Sequence, residues 1–390
     1  PRKSPFSGDT LGMVGTYVRN VLLVQTQLCA LILGLSLLPL VLYAALARVS
    51  AAVPWLLQLL AGAMGMSALL PALAGHGLIE CRGMANASAA VRIGTDRVLV
   101  GSDENNTLIL YSSIRGGAPL KVFETSPWLG LRRGEGEADF EGAARIGDVV
   151  YWIGSHARNK NGRYRPERHR FLALKISHED GELELNPVAP AAGTLLESML
   201  AAPTMAEFSL REASGIAPEL PGGLNIEGLA AGPEGTLWIG FRSPVPGGRA
   251  LLAQLRNPME FATGHPAQWG PACRLDLGGK GIRDLVWTGQ EYFVLGGNSG
   301  EGGRTRLYRW TGPGAEPTPV KAPGIKDLNA EGLVAFGTPQ SPRILVLSDD
   351  GNRKGNDALD TLKRTFRMLW VDPASDNSPE EPDAAPTPGR

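Results

Sequence analysis

The chain has 390 residues, with 38 basic and 39 acidic side chains and a net charge of −1. A balance so close to neutral creates no global field that would steer it to nucleic acid or an anionic surface. The 50 glycines and 30 prolines are spread along the chain and suit many short strands joined by turns, while Cys29, Cys81 and Cys273 lack the number and spacing of a disulfide framework or a C-x-x-C zinc site.

Residues 1–20 form a polar flank carrying Arg2, Lys3 and Arg19. Residues 21–75 are hydrophobic. No charge occurs from Val21 to Ala47 or from Val49 to Gly75, and Arg48 alone interrupts them. Each stretch is long enough for a helix to cross about 30 Å of hydrocarbon, and neither has a polar face. One or two membrane or signal helices are therefore expected. Ala72 and Ala74 flank Leu73 as small residues do at a signal-peptidase site. A signal that is cleaved or kept as an anchor thus competes with a membrane hairpin. The basic flank favours a cytoplasmic N-terminus, so the rest is expected to be membrane-anchored or exported and extracytoplasmic, periplasmic in a bacterium.

Residues 77–371 repeat one unit. The copies begin at Ser88 ("SAAVRIGTDRVLVGSDENN"), Glu141 ("EGAARIGDVVYWIGSHARN"), Glu227 ("EGLAAGPEGTLWIGFRSP"), Asp284 ("DLVWTGQEYFVLGGNSG") and Glu331 ("EGLVAFGTPQSPRILVLSDDG"). Each reads as a small-apolar strand, a turn, an aromatic or β-branched strand and a polar loop. A third strand follows every loop ("TLILYS", "RFLALKIS", "RALLAQL", "TRLYRW", "TFRMLWV"), and a fourth often follows that ("PLKVFE", "GELELNPV", "PACRLDLG", "TPVKAP"). Four antiparallel strands repeated at roughly 45–60 residues predict an all-β fold, a β-propeller of five blades. The last unit lacks a fourth strand, and "GLIECRG" at 77–83 can supply it and close the ring. Six blades are the alternative, because the second and third units lie far apart. In that gap Leu195, Leu196, Met199, Leu200 and Met205 recur at helical spacing, predicting a cap helix around 193–212. Residues 372–390 are acidic and proline-rich, the composition of a disordered tail.

Propeller geometry turns this spacing into a site. The start of strand one and the loop after strand two share one face, with strand one nearest the central channel. The predicted ring is Glu141, Glu227, Asp284 and Glu331, with Ser88 in the fifth place. The polar loops add Ser155, His156, Arg158, Asn159, Arg242, Asn298 and Asp349. Crowded carboxylates need partners. Ca²⁺ could bind at Glu141, Glu227, Asp284 and Glu331. Alternatively, Arg158, Arg242 and Arg283 could pair with the acids and present donors to an anion. Each acid could instead accept backbone N–H groups and lock adjacent blades. The loop "SHARNKNGRYRPERHR" at 155–170 breaks the symmetry and suits a phosphate or carboxylate clamp. Ser155 and His156 are sequence neighbours, a poor arrangement for a nucleophile and its base, and no G-x-S-x-G motif occurs. The expected ligand is an anionic small molecule or sugar phosphate, with phosphoester hydrolysis as the finer reading. A non-enzymatic scaffold for a partner protein is the alternative.

The Asp/Asn-x-Glu-Gly repeats at 139–142, 225–228 and 329–332, and the Ser-His-x-Arg-Asn run at 155–159, resemble a bacterial family of exported proteins known as domain-of-unknown-function family 3616. That resemblance spans roughly 78–371 and implies a propeller outside the cytoplasm, with no reaction attached. A looser similarity to esterase-like phytase propellers rests on the shared Glu-Gly motif and implies phosphoester chemistry.

Overall fold

The computed structural model describes residues 77–132, 134–300, 303–356 and 363–373. The expected membrane or signal helices of 21–75 and the tail beyond 373 lie outside these. Among the described residues no helix is long and apolar enough to cross a membrane.

Strands β1 (Ile79–Arg82) to β20 (Thr365–Val371) form five four-stranded antiparallel sheets, which settles the blade number at five. Blade one is β2 (Ala87–Ile93), β3 (Arg97–Ser102), β4 (Thr107–Ser112) and β5 (Lys121–Glu124). Blade two is β6 (Phe140–Ile146), β7 (Val149–Gly154), β8 (Phe171–Glu179) and β9 (Glu182–Pro187). Blade three is β10 (Asn225–Ala231), β11 (Leu237–Ser243), β12 (Ala250–Leu255) and β13 (Cys273–Leu275). Blade four is β14 (Gly281–Trp287), β15 (Tyr292–Gly297), β16 (Arg306–Trp310) and β17 (Thr318–Val320). Blade five takes β18 (Ala330–Thr338), β19 (Ser341–Ser348) and β20 from the end of the chain and β1 from its start. The Cys81↔Phe366 pairing closes the ring as expected, so blade five gains its outer strand from the segment before blade one.

The apolar side chains are shared between blades, and each blade-to-blade seam has its own buried cluster. Trp152 fills the seam between blades one and two and Trp310 that between three and four, both fully buried. Burying large side chains this way removes apolar area at about 25 cal/mol per Å². A blade by itself would leave both its faces wet, so the clusters make closure of the ring the stable arrangement.

The cap is broken where one helix was expected. It runs as α1 (Leu195–Leu200), a 3₁₀ turn (Pro203–Phe208) and α2 (Leu210–Ala213). Pro203 has no N–H to continue α1, and Ser209 between the last two pieces has a φ of 49°. The apolar residues that suggested the helix do face inward: Leu195, Leu196, Met199 and Met205 join the seam between blades two and three. Another short helix, α3 (Pro258–Ala262), packs Phe261 edge-on to Phe171 of β8.

A β-bulge interrupts the pairing of strands one and two in every blade. The skipped residue is Ser88, Glu141, Glu227, Arg283 and Glu331 in turn. A bulge re-aims the extra side chain and tightens the local twist. These five residues, from strands that neighbour one another around the ring, are the structural equivalents at the channel mouth.

Candidate functional site

The bulge corrects one predicted ring member. In blade four the ring residue is Arg283, and Asp284 takes the position held elsewhere by the glycine of Glu-Gly. That position is crowded. A Cβ on Gly142 would stand 2.8 Å from the Leu229 Cβ, and one on Gly228 would stand 2.6 Å from Leu285 Cδ2. Asp284 occupies it by turning its carboxylate into the backbone. Oδ2 accepts the Leu333 N–H of blade five at 2.7 Å and Oδ1 accepts its neighbour Leu285's N–H at 2.8 Å. A further backbone N–H comes from Leu229 of blade three. Burial raises the Asp284 pKa and the backbone donors oppose that rise. This side chain staples three blades together and is not free for a ligand or metal.

Arg283 reverses the charge of the ring at one point and serves both neighbours. Its guanidinium is hydrogen-bonded to Glu331 of blade five and lies 3.7 Å from Glu227 of blade three. Gly297 opposite leaves room for the Arg283 stem, since a Cβ there would approach its Cγ to 2.8 Å. Glu227 also accepts Arg242 at 2.7 Å and Asn225 at 2.9 Å. Ser88 donates to Glu331 at 3.4 Å. Burial lifts the Glu331 pKa to about 7 against the pull of Arg283.

Glu141 is left over. Among the described residues no hydrogen bond or ion pair reaches its carboxyl, which lines a cavity of about 420 Å³ at the ring face. The surrounding protein drives its pKa well above the usual carboxylate range, and the nearby charges of Asp139 and Glu227 add to this. Asp139 lines the same cavity in a contrasting environment. It is held by Arg168 at 2.9 Å and by a hydrogen bond from Ser155, with φ at 57°. Burial raises it to about 6, the Arg168 charge opposing. Asp103 closes another side, strongly raised by burial and by Glu331, with Oδ1 buried and unpartnered. Pro218 and Glu219, reached through the cap segment, complete the rim with Lys160.

The predicted site residues divide accordingly. Glu141, Asn159, Glu227, Arg242 and Glu331 line the cavity together. Asn159 also closes its hairpin, its Oδ1 accepting the N–H groups of Asn161 at 3.0 Å and Arg163 at 2.9 Å. The remaining candidates stand outside the lining. Arg158 is spent on the carbonyls of Ser214 at 2.8 Å and Gly162 at 3.0 Å. Asn298 contributes its backbone carbonyl to Arg242, and Asp349 accepts from Asn329 at 3.1 Å and Gly351 at 2.9 Å. Ser155 is buried and reaches the site through Asp139. His156 is buried with φ at 53°; its Nδ1–H donates to the Gly154 carbonyl at 2.8 Å, and its ring packs 5.3 Å from that of His169. Burial and the His169 charge lower its pKa to about 3, so it stays neutral.

The expected Ca²⁺ cage does not assemble. Asp284 is taken up by backbone donors, Glu227 and Glu331 by guanidiniums, and among the described residues no group of three or more His, Cys, Asp or Glu side chains could hold a metal ion. Among the described residues the arginines of the lining are paired in a related way, apart from the Arg168 Nε, which is buried and unpartnered. Arg242 divides its donors between Glu227 and the carbonyls of Asn298 and Gly300, Arg168 serves Glu137 and Asp139, and Arg165 serves Glu137 and Glu167.

Motif reading left out several lining residues, among them Asp139, Asn225 and Glu219, and it marked the basic loop without singling out Arg165 and Arg168. Asp139 had a signal: it stands two residues before the ring glutamate, as Asn225 and Asn329 do in their blades. Arg168 had none, because a basic loop does not reveal which of its arginines folds back onto an acid.

The model of a family described as protein of unknown function (DUF3616) matches residues 190–358. No curated protein matches the chain. Among solved structures the chain is similar to the major Malassezia sympodialis allergen Mala s 1, with 10% identity over 76% of this chain and 96% of that one and a TM-score of 0.46. It is also similar to the PQQ-bound aldose sugar dehydrogenase of Streptomyces coelicolor (12% identity, 76% and 99% covered, TM-score 0.37). A third is the glutaminyl cyclase of Myxococcus xanthus (11% identity, 76% and 96% covered, TM-score 0.38).

Proposed function

We propose that the ring-face cavity binds a small hydroxyl-rich molecule, a sugar or sugar derivative, and hydrolyses it by acid–base chemistry. The observation that carries this reading is Glu141, a carboxyl that no hydrogen bond or ion pair reaches among the described residues, facing a cavity whose acids Glu227 and Glu331 are paired with arginines. Two carboxyls in one cavity with opposed surroundings divide the labour of an acid and a base. Glu141, whose pKa burial raises, would give its proton to the leaving oxygen. Asp139, held ionised by Arg168 and Ser155, would take a proton from the attacking water. Hydroxyl groups suit walls of paired acids and arginines, which both donate and accept. A phosphate on the ligand would be met chiefly by the exposed Lys160 at the rim, since the lining arginines are paired with acids and carbonyls apart from the buried Nε of Arg168. The charge-free stretches at 21–75 support a place at a membrane or outside the cytoplasm.

Calorimetry with sugars and sugar phosphates, and turnover of chromogenic glycosides and phosphoesters, test the reading with Glu141→Gln as the control. The amide should keep binding and lose turnover at least ~100-fold, the usual scale for a general acid. No binding by the wild type, or full turnover by Glu141→Gln, would overturn it.

A further inference from the structure

At its other end the channel has a different lining. Side chains two residues apart on a strand share a face, so strand one of each blade sends three layers towards the axis. Below the ring come Ala90, Ala143, Leu229, Leu285 and Leu333, an apolar layer that fills the middle. Below these come Arg92, Arg145, Ala231, Trp287 and Ala335 at the opposite mouth. The layers are uneven. Blades one and two place alanines in the middle layer where the other three have leucines, and they place arginines at the mouth. The result is a cavity of about 260 Å³ with apolar walls, two guanidiniums on one side and an indole in blade four.

Those guanidiniums are differently placed from the arginines of the ring face. Arg92 donates to the Gly94 carbonyl at 2.7 Å and lies over the Phe336 ring at 5.1 Å. Arg145 donates to the carbonyls of Gly147 at 2.8 Å and Arg92 at 3.2 Å. Among the described residues neither has a carboxylate within ion-pair distance. Two like charges, Arg92 half-buried and Arg145 exposed, thus stand side by side at the edge of an apolar wall with only Asp148 acting on Arg145 from a distance. Burial lowers the Arg145 pKa, the Arg92 charge lowers it further, and Asp148 opposes them weakly. An incoming anion would relieve both costs.

We propose that this mouth is a second binding site, distinct from the ring face, for a small flat apolar anion such as an aromatic carboxylate. The carboxylate would lie against Arg92 and Arg145, and the ring would enter the alanine-walled cavity beside Trp287. The volume falls below the roughly 300–1,000 Å³ of pockets that take drug-sized ligands, which limits the occupant to about one ring. The apolar middle layer separates this site from the ring face, so occupancy of one need not alter the other.

Benzoate is the probe, with benzamide as its uncharged isostere and acetate as its headgroup alone, followed by calorimetry and tryptophan fluorescence on the whole chain. Benzoate should bind, and benzamide and acetate should bind at least tenfold more weakly. Arg145→Gln and Arg92→Gln should each weaken benzoate at least tenfold. Ala231→Leu, which narrows the cavity, should abolish it. All three should leave thermal stability and any ring-face binding at wild-type levels. No benzoate binding, or equal affinity for benzamide, would overturn the proposal. So would benzoate affinity undiminished in a folded Arg145→Gln protein.

Discussion

Arg283 stands between Glu227 and Glu331 in the ring, hydrogen-bonded to the second and 3.7 Å from the first. One cation in a ring of acids thereby serves the blade on either side of its own, and among the described residues Glu141, on the far side of Glu227, receives no hydrogen bond or ion pair, with the charges of Arg283 and Arg168 acting on it only from a distance.

Removing that cation should be costly. Arg283→Leu strips Glu331 of its guanidinium and leaves a buried carboxylate with the weaker donors Ser88 and Asn329. Loss of one partner of a buried pair typically costs about 3–5 kcal/mol, which denaturant unfolding would read directly. The double variant Arg283→Leu/Glu331→Gln should recover part of the loss. Equal stability of the single and double variants would remove the pairing as the cause.

Asp284 should act on stability alone. Asp284→Ala leaves backbone N–H groups of three blades without their acceptor, each worth about 1–3 kcal/mol when buried and unmade. A fall in the unfolding midpoint with unchanged ligand affinity is expected. Loss of affinity with stability preserved would return Asp284 to the site.

The raised carboxyls set the direction of the pH dependence. Burial pushes Asp139 up to about 6 and Glu331 up to about 7, above the roughly 4 of carboxylates in an unfolded chain. Over the interval from about pH 4 to 7 the folded protein therefore binds more protons than the unfolded one. Their stabilisation is complete below about pH 4 and is lost as pH rises through 6 and 7. The melting temperature should be higher at pH 5 than at pH 8. Glu141→Gln should flatten part of that slope, because burial raises Glu141 as well and an amide does not titrate. A melting temperature that climbs towards pH 8 would contradict the assignment.

Calcium should have no effect. The ring oxygens that could have bound it are engaged by Arg283, Arg242 and backbone N–H groups, so millimolar Ca²⁺ or EDTA should leave the melting temperature within about 1 °C. A Ca²⁺-dependent rise would show that these pairs open to admit the ion.

Much of the architecture was legible because it rests on local patterns repeated along the chain. A small-apolar strand, opened by Glu-Gly in three of the five units, then a turn and an aromatic or β-branched second strand recur at nearly constant spacing, and "GLIECRG" stands where a missing outer strand was needed. The cap was legible in its buried face but not in its breaks at Pro203 and Ser209, since helical spacing reports burial and not continuity. The loop from Ser155 to Arg170 was harder. Arg158, Arg165 and Arg168 look alike in sequence, yet one stitches the hairpin to the segment after α2, one steadies its own loop and one holds Asp139.

The sequence by itself determined the five-fold repeat, the closure of the ring by the segment before blade one, and the face on which the polar residues gather. These follow from periodicity, which is a property of neighbours along the chain. Tertiary structure alone decided that Arg283, rather than Asp284, completes the ring, that Asp284 locks blades three, four and five, and that, among the described residues, Glu141 is the ring acid with no hydrogen bond or ion pair. The physical reason is the bulge at the start of each blade. It shifts the pairing by one residue, and in a strand a shift of one exchanges the side chain that faces the channel for the one that faces its neighbour.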